Sequence, residues 1–180
     1  MIKDNYYILT GGPGSGKTSV LKQLRKSGFE TVDEVARNII FKQNEIGGNA
    51  THNGDRHKFR SLMLEASIRD FKKHQLSRES IFFDRGIADL IGYSQLIDNP
   101  PDLLLTDAVK RFRYNKQIFI FPPWFEIYCN DKERQQDFSE ALNTYRCIKE
   151  GYLKTGYDIV EVPLDSIEAR VEFILNYVVS

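Results

Sequence analysis

Short apolar runs alternate along the chain with stretches whose apolar residues recur every three or four positions, the rhythm of a parallel sheet covered by helices. Five runs are predicted as strands: Tyr6 to Leu9, Phe29 to Val32, Ile81 to Phe83, Gln117 to Phe121 and Asp158 to Val162. The first, third and fourth are nearly continuous in apolar character, as strands buried on both faces should be. Between them the period is helical. Val20, Leu21 and Leu24 share one face, Phe59, Leu62, Met63 and Ala66 a second, and Ile167, Val171, Ile174 and Val178 a third. Asp165 with Glu168 three residues later has the form of a capping box opening the last helix.

Two segments break the alternation. Gln43 to Asp55 contains Gly47, Gly48, Asn49, Asn53 and Gly54, turn formers that predict an exposed loop. Pro122 to Asp137 opens Pro-Pro-Trp and ends near the charged cluster Asp131, Lys132, Glu133 and Arg134, giving a lid-like insertion at about 122–137. The expected fold class is therefore α/β, three layers with a parallel five-stranded sheet and helices on both faces, in a single domain over 1–180.

Composition narrows the function classes. Lysine plus arginine equal aspartate plus glutamate at 25 each, so no net field draws the molecule to nucleic acid or an anionic membrane. Cys129 and Cys147 match no zinc spacing and are expected as reduced thiols, and His52, His57 and His74 show no metal-ligand spacing. The N-terminal residues lack a signal-peptide pattern, and no run approaches the eighteen or so apolar residues of a membrane span. A cytoplasmic protein is expected.

Gly11-Gly12-Pro13-Gly14-Ser15-Gly16-Lys17-Thr18 matches the P-loop pattern in its required context, a strand before it and an amphipathic helix after it. The glycines let the backbone turn its N–H groups onto a polyphosphate, and the helix that starts near Gly16 adds free N–H groups and the positive end of its dipole. Lys17 is placed to neutralise the terminal phosphates, and the Thr18 hydroxyl to ligate Mg²⁺. Gly11 to Thr18, with Ser19 next to them, are the candidate nucleotide-binding residues, for ATP or GTP.

Ile81-Phe82-Phe83-Asp84 is an apolar strand ending in a carboxylate, the form of a Walker B strand that delivers Asp84 to the metal. A helix cap is the other use of such an aspartate. Arg85 follows, where many mechanical ATPases place a glutamate, and an arginine suits binding a second anion, such as a phosphoryl group or an acidic acceptor, better than activating water. The second strand ends Val32-Asp33-Glu34-Val35-Ala36-Arg37, at the sheet edge where open α/β proteins bind ligands. Glu34 or Asp33 is placed to orient or deprotonate an acceptor hydroxyl. Equally, Asp33 can cap a helix beginning at Glu34, and Arg37 can pair with Glu34 on one helical face. Arg134 is either a lid cation for the transferring phosphoryl group or part of a solvated charge cluster.

The set Thr10 to Thr18, Glu34-Val-Ala-Arg37, Phe83-Asp-Arg-Gly86 with Asp89, Arg113-Tyr114, Pro122-Pro-Trp124 with Ile127-Tyr128, Arg134 with Asp137-Phe138, and Gly156-Tyr157 leading to Val162-Pro163 resembles the NadR-like AAA domain family. That family groups the ribosylnicotinamide kinase domain of NadR with small stand-alone nucleotide-binding proteins and a eukaryotic photoreceptor-trafficking protein. The resemblance runs in order over nearly the whole chain. It implies a kinase-like P-loop fold, the sheet order 2-3-1-4-5, and ATP or GTP binding at Gly12 to Thr18.

The leading expectation is a phosphotransferase in which Lys17 and Mg²⁺ hold the donor, Glu34 or Asp33 faces an unidentified small acceptor, and Arg85 and Arg134 neutralise the moving charge. The alternative is a nucleotide switch acting through a protein partner. A signalling GTPase is disfavoured, because Asn115-Lys116-Gln117-Ile118 lacks the guanine-reading aspartate and precedes a strand instead of following one. Balanced charge likewise disfavours a polynucleotide substrate.

Overall fold

In a computed structural model, which describes residues 1–128 and 138–178, the chain forms five strands and eight helices among the described residues. Strand β1 (Tyr6–Gly11) leads through a glycine loop into α1 (Lys17–Lys26), followed by β2 (Glu30–Val32), α2 (Val35–Glu45) and α3 (Arg56–Lys73). Then come β3 (Ile81–Asp84), α4 (Asp89–Leu96), α5 (Leu103–Arg111), β4 (Gln117–Phe121) and the short α6 (Phe125–Tyr128). After the undescribed residues 129–137 the chain continues as α7 (Phe138–Lys154), β5 (Asp158–Glu161) and α8 (Ile167–Val178).

All strand pairs are parallel, in the order β2-β3-β1-β4-β5. The order and the five strands agree with the sequence reading. Continuous burial of β1 and partial exposure of β2 and β5 follow from their places at the centre and edges.

The period of two divides the sheet's side chains between two cores. Tyr6, Ile8, Ile81, Phe83, Ile118 and Ile120 enter one, together with Phe59 and Met63 of α3, Leu90 of α4, Leu105 of α5 and Ile148 of α7. Tyr7, Leu9, Phe82, Phe119 and Phe121 enter the other, where Val20, Leu21 and Leu24 of α1 meet Val171 and Ile174 of α8. Most of the three helical stripes read from the sequence therefore packs into the cores, although Leu62 of α3 is half-buried and joins neither core and Ile167 at the start of α8 is exposed.

Two expected caps move. Ser166, not Asp165, caps α8: its Oγ accepts from Ala169 N at 3.2 Å, while Asp165 Oδ1 accepts the Ser166 N–H at 2.6 Å. The helix begins one residue later than a capping box at Asp165 requires. Asp33 caps nothing either, since α2 starts at Val35 with Glu34 in the cap position and no side-chain cap bond.

The turn-rich segment after α2 is exposed apart from buried Ala50 and half-buried Thr51 and is held by local bonds. Ala50 N donates to Gln43 Oε1 at 3.0 Å and Asp55 N to Asn49 O at 2.7 Å, before Asp55 caps α3 through Lys58 N. Helices α4 and α7 approach most closely at facing glycines. A Cβ on Gly92 would lie 2.7 Å from both Cys147 O and Ile148 Cα, and one on Gly151 would lie 2.8 Å from Gly92 N. Backbone cannot yield as a flexible side chain can. Gly92→Ala is expected to destabilise the fold by about 1–3 kcal/mol, read as a lower urea midpoint with unchanged slope.

Candidate active site

The carboxyl ends of β1, β2 and β3 lie side by side, so the glycine loop, the Glu34 turn and the Asp84-Arg85 turn converge. Gly11, Gly14 and Gly16 adopt φ of 144°, 73° and 78°. At Gly16 the requirement for glycine is double: the backbone is left-handed, and a Cβ would come within 2.8 Å of Arg170 Nη1. Helix α1 follows with no side-chain cap and no acidic residue in its first turn. The N–H groups of Gly14, Ser15 and Gly16 have no hydrogen-bond partner among the described residues. A row of free donors at an uncapped helix start is the physical form of an anion cradle. Ser15 shapes it from within, its Oγ donating to Gly12 O at 3.0 Å.

Lys17 is buried, and its Nζ donates to Asp84 Oδ1 from the end of β3. The helix-cap use of Asp84 gives way to this ion pair. Burial raises the Asp84 pKa above the ordinary aspartate value, with Lys17 opposing and Glu34 reinforcing the rise. Thr18 is exposed, and neither its hydroxyl nor Asp84 Oδ2 has a partner among the described residues. Two hard oxygen donors flanking a phosphate cradle fit Mg²⁺, which binds through few protein ligands plus phosphate and water.

Glu34 and Asp33 part company. Asp33 turns outward to Arg25 Nη2 at 2.6 Å, its side chain 76% exposed, whereas Glu34 is 19% exposed and reaches Arg85 Nε at 2.8 Å. Arg37, exposed, approaches Glu34 Oε2 at 3.6 Å, so the surface pair exists alongside the inward one. Burial alone would raise the Glu34 pKa, but Arg85, Lys17 and Arg37 outweigh it and hold the carboxyl below its ordinary value.

Arg85 has φ of 71°, one of two non-glycine residues at positive φ among the described residues. A left-handed arginine costs about 1–2 kcal/mol and persists where its surroundings fix it. Here Glu34 holds Nε and Asp89 holds Nη1 at 3.2 Å. Burial opposes the charge on Arg85, but Glu34, Asp89 and Asp84 together raise its pKa further.

Asp89 was quoted in the sequence reading only as part of a motif, yet it joins three elements. Its Oδ1 accepts from Thr10 Oγ1 and Arg85, and its Oδ2 from Gly86 N at 2.8 Å and from Tyr152 of α7. Burial and then Asp89 raise the Tyr152 pKa well above the ordinary tyrosine value, which keeps the phenol a donor. Its signal in the sequence was an acid at the first position of a helix in an otherwise apolar stretch. Arg170 was also missed, although it falls on the apolar stripe of α8 three residues after Ile167 and four before Ile174. Arg134, the expected lid cation, lies outside the described residues.

Between α2, α3 and the β3 turn a cleft opens to solvent beside Glu34 and Arg85. Val35, Phe83, Leu90 and Tyr114 give it apolar walls, and Ser67 and Asp70 of α3 add polar groups.

Glycine loop, sheet order and the Asp84 strand define a P-loop NTPase domain of the kinase-like type. The chain belongs to the AAA domain family, whose model matches residues 6–170, in keeping with its resemblance to NadR-like domains. No curated protein matches it in sequence. Among solved structures, a deoxyadenosine kinase from M. mycoides is similar at TM-score 0.68 and 16% identity, over 96% of this chain and 97% of that one. Thymidylate kinase from Candida albicans is similar at TM-score 0.67 and 14% identity, over 98% and 91%. Shikimate kinase from Acinetobacter baumannii is similar at TM-score 0.62 and 14% identity, over 98% and 93%. At these identities the likeness is one of fold.

Two outcomes are expected from this geometry. Lys17→Ala removes the cation of the cradle and abolishes or strongly weakens ATP binding by calorimetry, while circular dichroism stays that of the folded chain. Asp89→Ala leaves Arg85 and two hydroxyls without their acceptor and lowers unfolding free energy by roughly 3 kcal/mol in urea titration.

Proposed function

We propose that the protein is a small-molecule kinase that transfers the γ-phosphoryl group of ATP or GTP to a hydroxyl of a nucleoside-like or other small acceptor. The observation that carries this reading is Glu34: a part-buried carboxylate, gripped by Arg85, at the mouth of a cleft next to the Lys17-Asp84 pair. A hydrolase needs only a water beside the γ-phosphate. A walled cleft facing an oriented carboxylate suits a larger acceptor. The folds it resembles include a deoxyadenosine kinase, a thymidylate kinase and a shikimate kinase, which supports the class without choosing among acceptors.

In the proposed reaction the free N–H groups of the loop cradle the donor phosphates and Lys17 turns from Asp84 to their terminal oxygens. Thr18 and Asp84 would hold Mg²⁺, which would supply positive charge to the donor phosphates. Glu34 accepts the hydrogen bond of the acceptor hydroxyl and takes its proton as the new P–O bond forms, while the bond from the γ-phosphorus to the β–γ bridging oxygen breaks and the nucleoside diphosphate leaves. With its pKa lowered, Glu34 is a weak base, which suits a loose transition state where the proton leaves late.

The cleft's charge supports an acceptor of a particular kind. Its lining carries one arginine, engaged by Glu34 and Asp89, while Asp33 turns out to Arg25, Asp84 pairs with Lys17 and Asp70 adds a further carboxylate. Among the described lining residues an anionic acceptor would find no free cation, so a neutral or cationic polyol or nucleoside fits better.

A panel of nucleosides, nucleoside monophosphates and sugars, with ATP and GTP as donors and phosphorylated product detected by mass spectrometry, tests the reading. Glu34→Gln is expected to lower kcat roughly 10²–10⁴-fold with donor binding retained. Because the Glu34 pKa is depressed, the base stays ionised at neutral pH, and its loss on acidification falls below the ordinary glutamate range. Tight nucleotide binding with no product from any acceptor would discard the kinase and favour the nucleotide switch.

A further inference from the structure

Behind the phosphate cradle, on the side away from the acceptor cleft, the guanidinium of Arg170 is 3% exposed. Its Nη2 donates to Ser15 O at 2.6 Å, tying α8 to the middle of the loop. The guanidinium carbon lies 4.9 Å from the Phe121 ring centre and 5.5 Å from that of Trp124, so two aromatic faces cover it. Its Nε is buried with no hydrogen-bond partner. Among the described residues no carboxylate pairs with it.

Such an arrangement is expensive for folding alone. A buried cation needs a counter-charge, and aromatic faces with one carbonyl supply only part of it. Burial accordingly lowers the Arg170 pKa from its ordinary value. A leucine or methionine would fill the same stripe between Ile167 and Ile174 without that cost. A source for the missing counter-charge is at hand, because the loop Arg170 touches is the one whose N–H groups are free to hold an anion.

We propose that Arg170 is a positioning residue of the donor site and its buried counter-charge: it fixes the Ser15 carbonyl behind the loop and adds an unpaired positive charge to the field that holds a polyphosphate. The inference rests on the reading of Gly11 to Thr18 as a polyphosphate grip and does not depend on what the acceptor is. It also accounts for the close fit at Gly16, where a side chain would strike this guanidinium.

Arg170→Gln keeps a donor for Ser15 O and removes the charge, Arg170→Met is a second neutral side chain of similar length, and Arg170→Lys keeps the charge. Binding of ATP and of inorganic tripolyphosphate, which has no base to contribute, is measured by calorimetry with magnesium for all four chains. Thermal melting of each free chain checks the fold. The neutral variants are expected to bind both probes about tenfold more weakly. The lysine chain should return to within about threefold of the parent, a rescue that a merely structural role would not give. A folded neutral variant that binds both probes as the parent does overturns the proposal, as does a lysine chain no better than glutamine. If the parent binds neither ATP nor tripolyphosphate, the polyphosphate grip itself fails and this inference fails with it.

Discussion

The Asp89 carboxylate fixes how the parts of the site stand to one another. Four donors meet on it: the Thr10 hydroxyl from the end of β1, the Gly86 N–H and the Arg85 guanidinium from the turn after β3, and the Tyr152 phenol from α7. Each comes from a different direction, and the carboxylate is buried, so no water competes for it. The turn after β3 can therefore afford a left-handed arginine. Without Asp89 the guanidinium keeps one of its two anchors, Glu34, and the strain at Arg85 is less firmly opposed. The facing glycines of α4 and α7 serve the same contact, since only backbone against backbone lets Tyr152 reach so far in.

The fold was legible in the sequence because it rests on local, periodic information. Tyr6, Ile8 and their neighbours alternate between two cores, and the stripe of Val20, Leu21 and Leu24 needs only a period of 3.6 to be read. The glycine loop was legible for a related reason: close phosphate approach demands glycines at fixed offsets in one short segment. Asp89 and Arg170 were harder. What they do depends on partners 63 and 155 residues away, Tyr152 and Ser15, and no spacing rule links positions so far apart. Glu34 and Asp33 show the same limit on a smaller scale. Adjacent carboxylates are equivalent to a sequence pattern, and the pleat and turn decide which faces Arg85 and which faces Arg25. Caps shifted by one residue for a similar reason, since their identity depends on where the first helical turn closes.

The charges around the loop divide into two sets with different partners. Among the described residues on the acceptor side, Lys17 sits on Asp84, and Arg85 sits between Glu34 and Asp89. On the far side no described carboxylate pairs with Arg170, and its Nε has no hydrogen-bond partner. In the proposed reaction a triphosphate entering the cradle exchanges one of these pairs and completes the other set. Lys17 turns from Asp84 to phosphate, which frees a carboxylate oxygen pair where a divalent cation is wanted, while Arg170 gains the counter-charge it lacks without moving.

This division also bears on why Arg85 suits transfer better than capture of a second anion. An arginine waiting for an anionic acceptor would keep part of its fork open, yet Nε and Nη1 are both committed to carboxylates of the chain itself. Held there, its charge does two things at once. It lowers the proton affinity of Glu34, so that in the proposed reaction the carboxylate would orient a hydroxyl without protonating first. In that reaction it would also leave a fixed positive field beside the path of the phosphoryl group, which needs no reorganisation when negative charge develops there. A neutral acceptor hydroxyl profits from both effects, whereas an anionic acceptor would have to break an ion pair before it could profit from either.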